Sequence, residues 1–301
     1  MKKALNLLIV IAALASLAAP ALAQATFYGT DDFNDNTFAS GRWNTFQTLN
    51  GGAWSETNGR MEFTGDATST AILTSNRVQQ FRVWSSNTTS NTSYTDSWTA
   101  NMTFTIDKTA VASNGVTLLG FDVHRAGTSS GYYGIYLLYA TSGGRIFSEQ
   151  GVFNGTGFTR TTLGSTGTLD NAFDGTDVLL RVDYNGSTQN FTSAFSFDSG
   201  ATYFNYGNFG SAGASGGTAV GNTSAWLSAP TTGFGIEVYG ALYGNGSSAG
   251  PTLVSGQAFV DNLSVSAIPE PSTYAAIFGA GALAFAVWRR SRKTASPSRL
   301  G

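Results

Sequence analysis

The chain has 301 residues, a formal net charge of −2 and no cysteine. The lack of cysteine excludes thiol catalysis and cysteine-ligated metal sites. Seven of the sixteen basic residues lie outside the stretch 24–267, in which nine basic residues face seventeen acidic ones. That stretch therefore carries a charge near −8, and such an acidic surface disfavours nucleic acid and anionic lipid as partners.

Residues 1–23 form a predicted signal peptide. Lys2 and Lys3 precede an apolar run over residues 4–19, and alanines at positions 21 and 23 come shortly before the domain. A basic start, an apolar run and a small-x-small cleavage pattern are typical of secretory signal peptides, which are removed. We therefore expect cleavage between Ala23 and Gln24 and export of the remainder, with an uncleaved N-terminal anchor as the alternative.

Residues 24–267 are predicted to form one all-β domain. The clearest strand spans 97–107, where apolar side chains at even positions alternate with Thr and Asn at odd positions. A period of two places one face in a core and the other in water. Similar runs recur as far as residue 266 and are separated by Asn-Gly and Ser-Gly-Gly turn signals. Many short strands at this spacing indicate a sandwich or a barrel.

Four landmarks in the domain carry a family resemblance. They are Asp-Asp-Phe at 31–33, Arg-Trp-Asn at 42–44, a late strand at 179–184 and a closing strand at 259–265. In this order they resemble the concanavalin A-like (laminin-G, lectin/glucanase) jelly roll. The resemblance implies a jelly-roll sandwich whose last strand pairs near its first, and it permits sugar binding on the loops or on the concave sheet.

The titratable side chains of the domain form no recognisable catalytic pattern along the sequence. His124 is the only histidine and lies in an apolar-flanked stretch, so we predict a strand residue rather than the base of a Ser-His-Asp triad. Glycoside hydrolysis needs two carboxylates that face each other across a cleft. None of the glutamates in the domain has a second carboxylate two or three positions away along the chain. These glutamates are Glu56, Glu62, Glu149 and Glu237. We therefore predict that the protein is not an enzyme.

Clustered oxygen ligands make calcium the one candidate cofactor. Asp31, Asp32 and Asp35 flank Asn34, and a second acidic cluster spans residues 170–177. Ca²⁺ takes clustered oxygens from Asp, Asn and backbone carbonyls. Neither cluster has EF-hand spacing, and Asp and Asn also serve turns. The sequence therefore predicts no cofactor and a turn-forming role for these residues, with a calcium ion at Asp31, Asp32 and Asp35 as the alternative.

Aromatic side chains are candidates for sugar binding, because an exposed ring can stack on a pyranose. The candidates are Tyr132, Tyr133, Tyr136, Tyr139, Trp226, Tyr239 and Tyr243. Aromatic residues that alternate along a strand more often fill the core, so a core role is predicted first and sugar binding is the alternative.

Residues 268–301 have three parts in a fixed order. Pro269, Glu270 and Pro271 form a turn, residues 274–288 form an uncharged apolar run, and a basic tail follows at 289–301. The apolar run predicts a single membrane helix. By the positive-inside rule, the helix is expected to end on the cytoplasmic side at a cluster of four cations. These are Arg289, Arg290, Arg292 and Lys293. A buried C-terminal core helix is the alternative.

This C-terminal order resembles the PEP-CTERM sorting signal of Gram-negative bacteria. The resemblance implies a precursor in the inner membrane that an exosortase-type enzyme processes near 269–271, followed by a location at the cell surface or outside the cell. It also implies association with the surface or with exopolysaccharide. Because the domain has no catalytic pattern, we predict a non-enzymatic structural or adhesive protein. A lectin-like carbohydrate-binding module, with or without calcium, is the alternative function.

Overall fold

The fold is described from a computed structural model. It describes residues 29–36, 38, 43–68, 78–84, 94–107, 115–125, 131–140, 142–169, 174–207, 209, 214–226, 233–244, 250–268 and 271–293. The predicted signal peptide with its Ala23–Gln24 cleavage site, and the motif residues Pro269 and Glu270, lie outside the described residues. The chain divides into two compact units, of which one is Tyr28–Ser266 and the other includes the residues from Ala267 onwards.

The described part of the first unit contains sixteen strands. They are β1 Gly29–Asp31, β2 Trp43–Leu49, β3 Ala53–Thr57, β4 Arg60–Asp66, β5 Val78–Trp84, β6 Trp98–Ile106, β7 Gly115–Arg125, β8 Gly131–Ala140, β9 Gly143–Phe153, β10 Phe158–Ser165, β11 Val178–Asn185, β12 Asn190–Ser196, β13 Val220–Asn222, β14 Phe234–Gly244, β15 Thr252–Leu253 and β16 Ala258–Ala267. The all-β prediction is confirmed.

These strands form two sheets built from antiparallel pairs. The nine-stranded sheet has the order β13-β12-β11-β6-β16-β4-β15, with β1 also beside β16 and β3 beside β4. The seven-stranded sheet has the order β10-β9-β8-β7-β14-β5-β2. Gly29 pairs with Val265 and Asp31 with Leu263. The last strand therefore pairs with the first, as the jelly-roll resemblance implies.

Strand β6 shows how the sequence period produces the core. It covers nearly the whole of the predicted strand 97–107, and Trp98, Met102 and Phe104 are fully buried while the threonines between them are mostly half-buried. Successive side chains of a strand point to opposite faces, so the even positions of β6 all enter the space between the sheets. Each fully buried side chain of this size contributes about 1.5–3 kcal/mol to stability.

An aromatic cluster joins the two sheets inside the core. Trp98, Tyr184 and Phe191 come from the nine-stranded sheet, and Phe234 comes from the seven-stranded sheet. The ring centroids of Tyr184 and Phe191 are 4.8 Å apart, and those of Phe191 and Phe234 are 5.2 Å apart in an edge-to-face arrangement. These separations lie in the range that aromatic pairs prefer, so the cluster fixes how the two sheets pack.

The central strands of the seven-stranded sheet carry buried apolar side chains on both of their faces. Leu119 and Phe121 of β7 belong to the core, whereas Leu118 belongs to a second apolar cluster together with Tyr136 and Tyr239. Because side chains alternate along each strand, this second cluster lies on the face turned away from the core, which we call the outer face. Strands buried on both sides appear in the sequence as nearly continuous apolar runs.

The C-terminal unit contains one described helix, α1, over Pro271–Lys293. Pro271 stands at its first position, where a missing backbone N–H costs least, and Arg289 and Arg290 lie near the C-terminus, where the helix dipole favours cations. Phe278 of α1 is 75% exposed and Trp288 is 46% exposed. The predicted membrane helix 274–288 lies within α1. Among the described residues, no helix has both the length and the apolar character that a bilayer crossing requires.

Candidate functional site

Three carboxyl groups form one row across the outer face of the seven-stranded sheet. Glu237 of β14 pairs with Asp122 of β7, and Asp122 pairs in turn with Gly134 of β8. Gly134 pairs with Glu149 of β9. We call Glu237, Asp122 and Glu149 the carboxyl row. Paired residues of neighbouring strands point to the same face, so the row results from the register of four consecutive strands.

Asp122 and Glu237 are the buried half of the row, with exposed fractions of 5% and 6%. Burial raises the pKa of the Asp122 carboxyl to about 7, although the Tyr136 hydroxyl donates to its Oδ2 at 3.1 Å and favours the ionised form. Burial also raises the pKa of Glu237 well above its usual range, and the adjacent Asp122 adds to that shift. Two neighbouring carboxyls in an apolar surrounding cannot both ionise without a large cost, so the pair retains a proton near neutral pH.

His124 lies on β7 beside this pair, which confirms the prediction of a strand residue. Its Nε2 atom is 3.7 Å from Oε2 of Glu237, and its side chain is mostly buried. His124 is two positions from Asp122 and therefore shares the outer face with it. The histidine faces the carboxyl row and does not enter the core.

Glu149 is the accessible half of the row. The Tyr132 hydroxyl donates to its Oε1 atom. The Arg160 Nε lies 3.9 Å from that same oxygen, and the arginine side chain is about half exposed. Such a partly solvated ion pair contributes little to stability. The half-exposed Arg160 guanidinium has further N–H groups that can donate to a ligand at this end of the row.

Glycines on the outer face allow the tyrosine rings to lie close to the sheet. A Cβ atom at Gly120 would stand 2.4 Å from Cδ1 of Tyr136, and one at Gly134 would stand 2.3 Å from its hydroxyl oxygen. A Cβ atom at Gly151 would stand 2.0 Å from Cε1 of Tyr132. The missing side chains give both rings room to reach the carboxyls with their hydroxyls.

An aromatic edge borders the carboxyl row at strands β8 to β10. We define it as Tyr132, Phe153 and Phe158, whose ring centroids are 5.4 Å apart for Tyr132 and Phe158 and 5.5 Å apart for Phe153 and Phe158. Phe158 is 39% exposed, although a ring of this kind is usually covered. The aromatic edge stands beside Glu149 and Arg160, so apolar rings and charged hydrogen-bonding groups meet at one accessible place.

The predicted sugar-binding aromatics divide between the two faces of the sheet. Tyr132 and Tyr136 lie on the outer face, as do Tyr239 and Tyr243, whereas Tyr133 and Tyr139 belong to the core. Trp226 is also in the core, stacked on Phe191 at 5.9 Å. The Tyr133 hydroxyl donates at 2.9 Å to Ser193 within the core.

The predicted calcium residues support a turn. Asp31 accepts hydrogen bonds from the Phe33 amide at 3.0 Å and from the Trp43 indole at 2.8 Å. Asp32 accepts from the Asn34 amide at 3.4 Å, and Asp35 follows in the same turn. In the portion of the chain that the structure describes, no group of three His, Cys, Asp or Glu side chains could hold a metal ion. Calcium binding therefore stays a prediction.

Sequence reasoning missed the carboxyl row because it compared carboxylates along single strands. Glu56 and Glu62 lie in the nine-stranded sheet, and Glu62 accepts hydrogen bonds from Arg60 at 2.8 Å and from the Gly256 amide at 2.9 Å. Glu149 and Glu237 instead lie in one row with Asp122, and the three residues are far apart in sequence. Adjacent strands lie about 4.8 Å apart, so Asp122 and Glu237 are direct neighbours across one strand spacing.

The C-terminal segment has a recognisable identity. Residues 267–293 match the family described as the PEP-CTERM protein-sorting motif. The chain ends in a PEP-CTERM sorting motif. This PEP-CTERM segment includes Pro271 and the whole of α1. A comparison with curated proteins finds no match.

The β domain is similar to solved structures of concanavalin A-like jelly rolls. The CBM2 module of the Lactobacillus casei BL23 phage J-1 evolved Dit is 11% identical, with a TM-score of 0.50 over 81% of this chain and 96% of that one. The endo-1,3-β-glucanase of Streptomyces sioyaensis is 12% identical, with a TM-score of 0.51 over 81% of this chain and 97% of that one. At such identities the likeness shows the fold alone, and the predicted jelly-roll fold is confirmed.

The raised pKa of Asp122 predicts a pH dependence of stability. Its ordinary value is 3.8 and its folded value about 7. The folded state therefore binds the extra proton, and the free energy of unfolding should fall as pH rises from about 4 to about 7, by on the order of 2–4 kcal/mol. Urea titrations across this range should show a smaller fall for Asp122→Asn than for the wild type.

Asp66→Asn is the matched control for this measurement. The Asp66 carboxyl is exposed, and its hydrogen bonds with Thr68 lower its pKa, so it titrates below the tested range. The control should show the wild-type pH dependence. An Asp122→Asn curve parallel to the wild type from pH 4 to 7 would contradict the proton-binding role of Asp122.

Proposed function

We propose that this chain is an exported protein whose β domain binds polysaccharide through the outer face of the seven-stranded sheet. The observation that carries the proposal is the aromatic edge beside Glu149 and Arg160. The C–H face of a sugar ring packs on an aromatic ring, and its hydroxyls pair with carboxylate and guanidinium groups. A small number of polar groups beside an apolar surface is typical of ligand sites.

The similar structures suggest which polymer to test first. One is named a CBM2 module, and the other is named an endo-1,3-β-glucanase. We take soluble β-1,3-glucan as the first candidate ligand. The fold hosts many functions, so the argument for binding rests on the side chains of the outer face.

The sorting motif supports delivery to the cell surface. We propose a precursor that is anchored at the inner membrane and processed by an exosortase-type enzyme near Pro269, Glu270 and Pro271. The basic residues of α1 would remain on the cytoplasmic side. After processing, the β domain would be released or re-anchored and would serve as a structural or adhesive component of the exopolysaccharide layer, which it holds by binding glycan.

Glycoside hydrolysis is a second candidate function, favoured by the carboxyl row. This chemistry needs one protonated and one ionised carboxyl group near the scissile bond. Asp122, with a pKa of about 7, would be protonated for part of the time at neutral pH, and Glu149 stands beside Arg160. We place binding without cleavage first, because Asp122 and Glu237 are almost completely covered.

Loss of one exposed ring should weaken glycan binding. We expect Phe158→Ala to reduce the affinity for soluble β-1,3-glucan about tenfold, the loss of one aromatic contact of roughly 1.4 kcal/mol. The matched control is Val254→Ala, which changes an exposed apolar residue directly after β15 of the nine-stranded sheet. This variant should bind like the wild type. Isothermal titration calorimetry measures both. Equal affinity of Phe158→Ala and the wild type would contradict the role of the aromatic edge.

The same mixtures distinguish binding from cleavage. If the second candidate is correct, reducing ends should accumulate with the wild type and decrease at least a hundredfold with Asp122→Asn or Glu149→Gln, because each removes an acid or a base. A reducing-end assay over several hours provides the measurement. Reducing ends at the level of heat-denatured protein would dismiss hydrolysis of this polymer.

Substitution of the motif should block processing. We expect Pro269→Ala combined with Glu270→Ala to leave a membrane-bound precursor in the host, because two prolines hold the segment extended for a protease. Pro297→Ala changes a proline outside the motif and is the control. Cell fractionation with intact-mass analysis distinguishes the forms. A processed product of normal mass from the double variant would rule out the proposed role of the motif.

A further inference from the structure

The described outer face carries three carboxyl groups, two arginines and one histidine. Among its described side chains, Asp122 and His124 come from β7, Glu149 from β9 and Glu237 from β14. Tyr132 and Tyr136 from β8, Tyr239 from β14 and Gln79 from β5 add neutral groups, and Arg160 from β10 adds one cation. Arg145 of β9 stands further along the face, over the ring of Phe147 at 5.1 Å. The two arginines stand at Glu149 and over Phe147 rather than at the Asp122–Glu237 pair.

The cation nearest to the carboxyl row is already engaged. The Arg160 Nε lies 3.9 Å from Glu149, at the accessible end of the row. The Asp122–Glu237 pair is left with His124, whose Nε2 lies 3.7 Å from Glu237. Both carboxyls of the pair are covered by apolar and aromatic side chains. A charge in such a place is poorly screened by solvent and salt, so it acts on a ligand about 10 Å away, two strand spacings from Asp122.

We propose that the Asp122–Glu237 pair is a charge filter, so that the outer face accepts uncharged polysaccharide and excludes polymers that carry carboxylates. The inference rests on the proposed polysaccharide binding and names the class of glycan that this face takes. A chain of sugar carboxylates laid on the aromatic edge would bring its charges next to Glu149, with Asp122 two strand spacings further along the row, about 10 Å away. Repulsion between like charges at this range costs enough to reduce affinity tenfold or more.

Protonation should change the strength of the filter. Because burial raises the pKa of Asp122 to about 7, the pair gains negative charge as pH rises through neutrality. Burial also raises the pKa values of Tyr132 and Tyr136, so these phenols remain neutral. Exclusion of anionic polymers should therefore be stronger at pH 8.5 than at pH 5.5.

The test compares two polymers that differ only in charge. Soluble β-1,3-glucan and its carboxymethyl derivative of equal chain length are titrated into the purified full chain at both pH values. We expect the wild type to bind the neutral polymer at least tenfold more tightly than the charged one at pH 8.5, with a ratio below threefold at pH 5.5. Asp122→Asn should lower the ratio at pH 8.5 below threefold, whereas Asp66→Asn should keep the wild-type ratio.

The outcomes separate this inference from the proposed function. Equal affinity of the wild type for both polymers at pH 8.5 would overturn the charge filter and leave polysaccharide binding intact. Binding to neither polymer would overturn the proposed function and the filter with it. The pH series on the wild type needs no substitution, so it tests the filter even if Asp122→Asn folds poorly. A tenfold ratio that persists at pH 5.5 would also count against it.

Discussion

The antiparallel register of β14, β7, β8 and β9 is the constraint on which the outer face depends. It places Glu237 beside Asp122 and, across Gly134, brings Glu149 into the same row. A shift of one residue in any of these pairs would move the side chains of that strand to the opposite face. The buried aromatic cluster between the sheets, which includes Phe234 of β14, opposes such a shift. Core packing therefore determines where the carboxyls stand.

Burial of this row has a cost that the surrounding residues only partly offset. The Tyr136 hydroxyl donates to Asp122, and retention of a proton avoids two adjacent charges. The glycines at 120, 134 and 151 give up side-chain packing so that the tyrosine rings fit. Acidic side chains in the apolar face of a sheet conflict with what stability alone would select. Such local conflicts are expected at functional sites.

The sequence was sufficient for the architecture but not for the site. The alternation in β6 and the landmark order predicted a jelly roll whose first and last strands pair, and the structure has both. Asp122 was not predicted, because its partners are distant in sequence and only the register brings them together. The tyrosines of β8 could not be assigned to a face either. Both faces of that strand are apolar, so its period of two is hidden.

Carbon-13 NMR titration of the carboxyl carbons measures the protonation state of Asp122 and Glu237 directly. We expect the Asp122 carboxyl to titrate with a midpoint near pH 7, where burial places its pKa, and the Glu237 carboxyl to remain protonated well above its ordinary value of 4.5. The two signals should respond to each other, because neighbouring carboxyls titrate as a coupled pair. Independent midpoints near pH 4 for both would mean that these side chains are solvated, and would contradict a buried carboxyl row on the outer face.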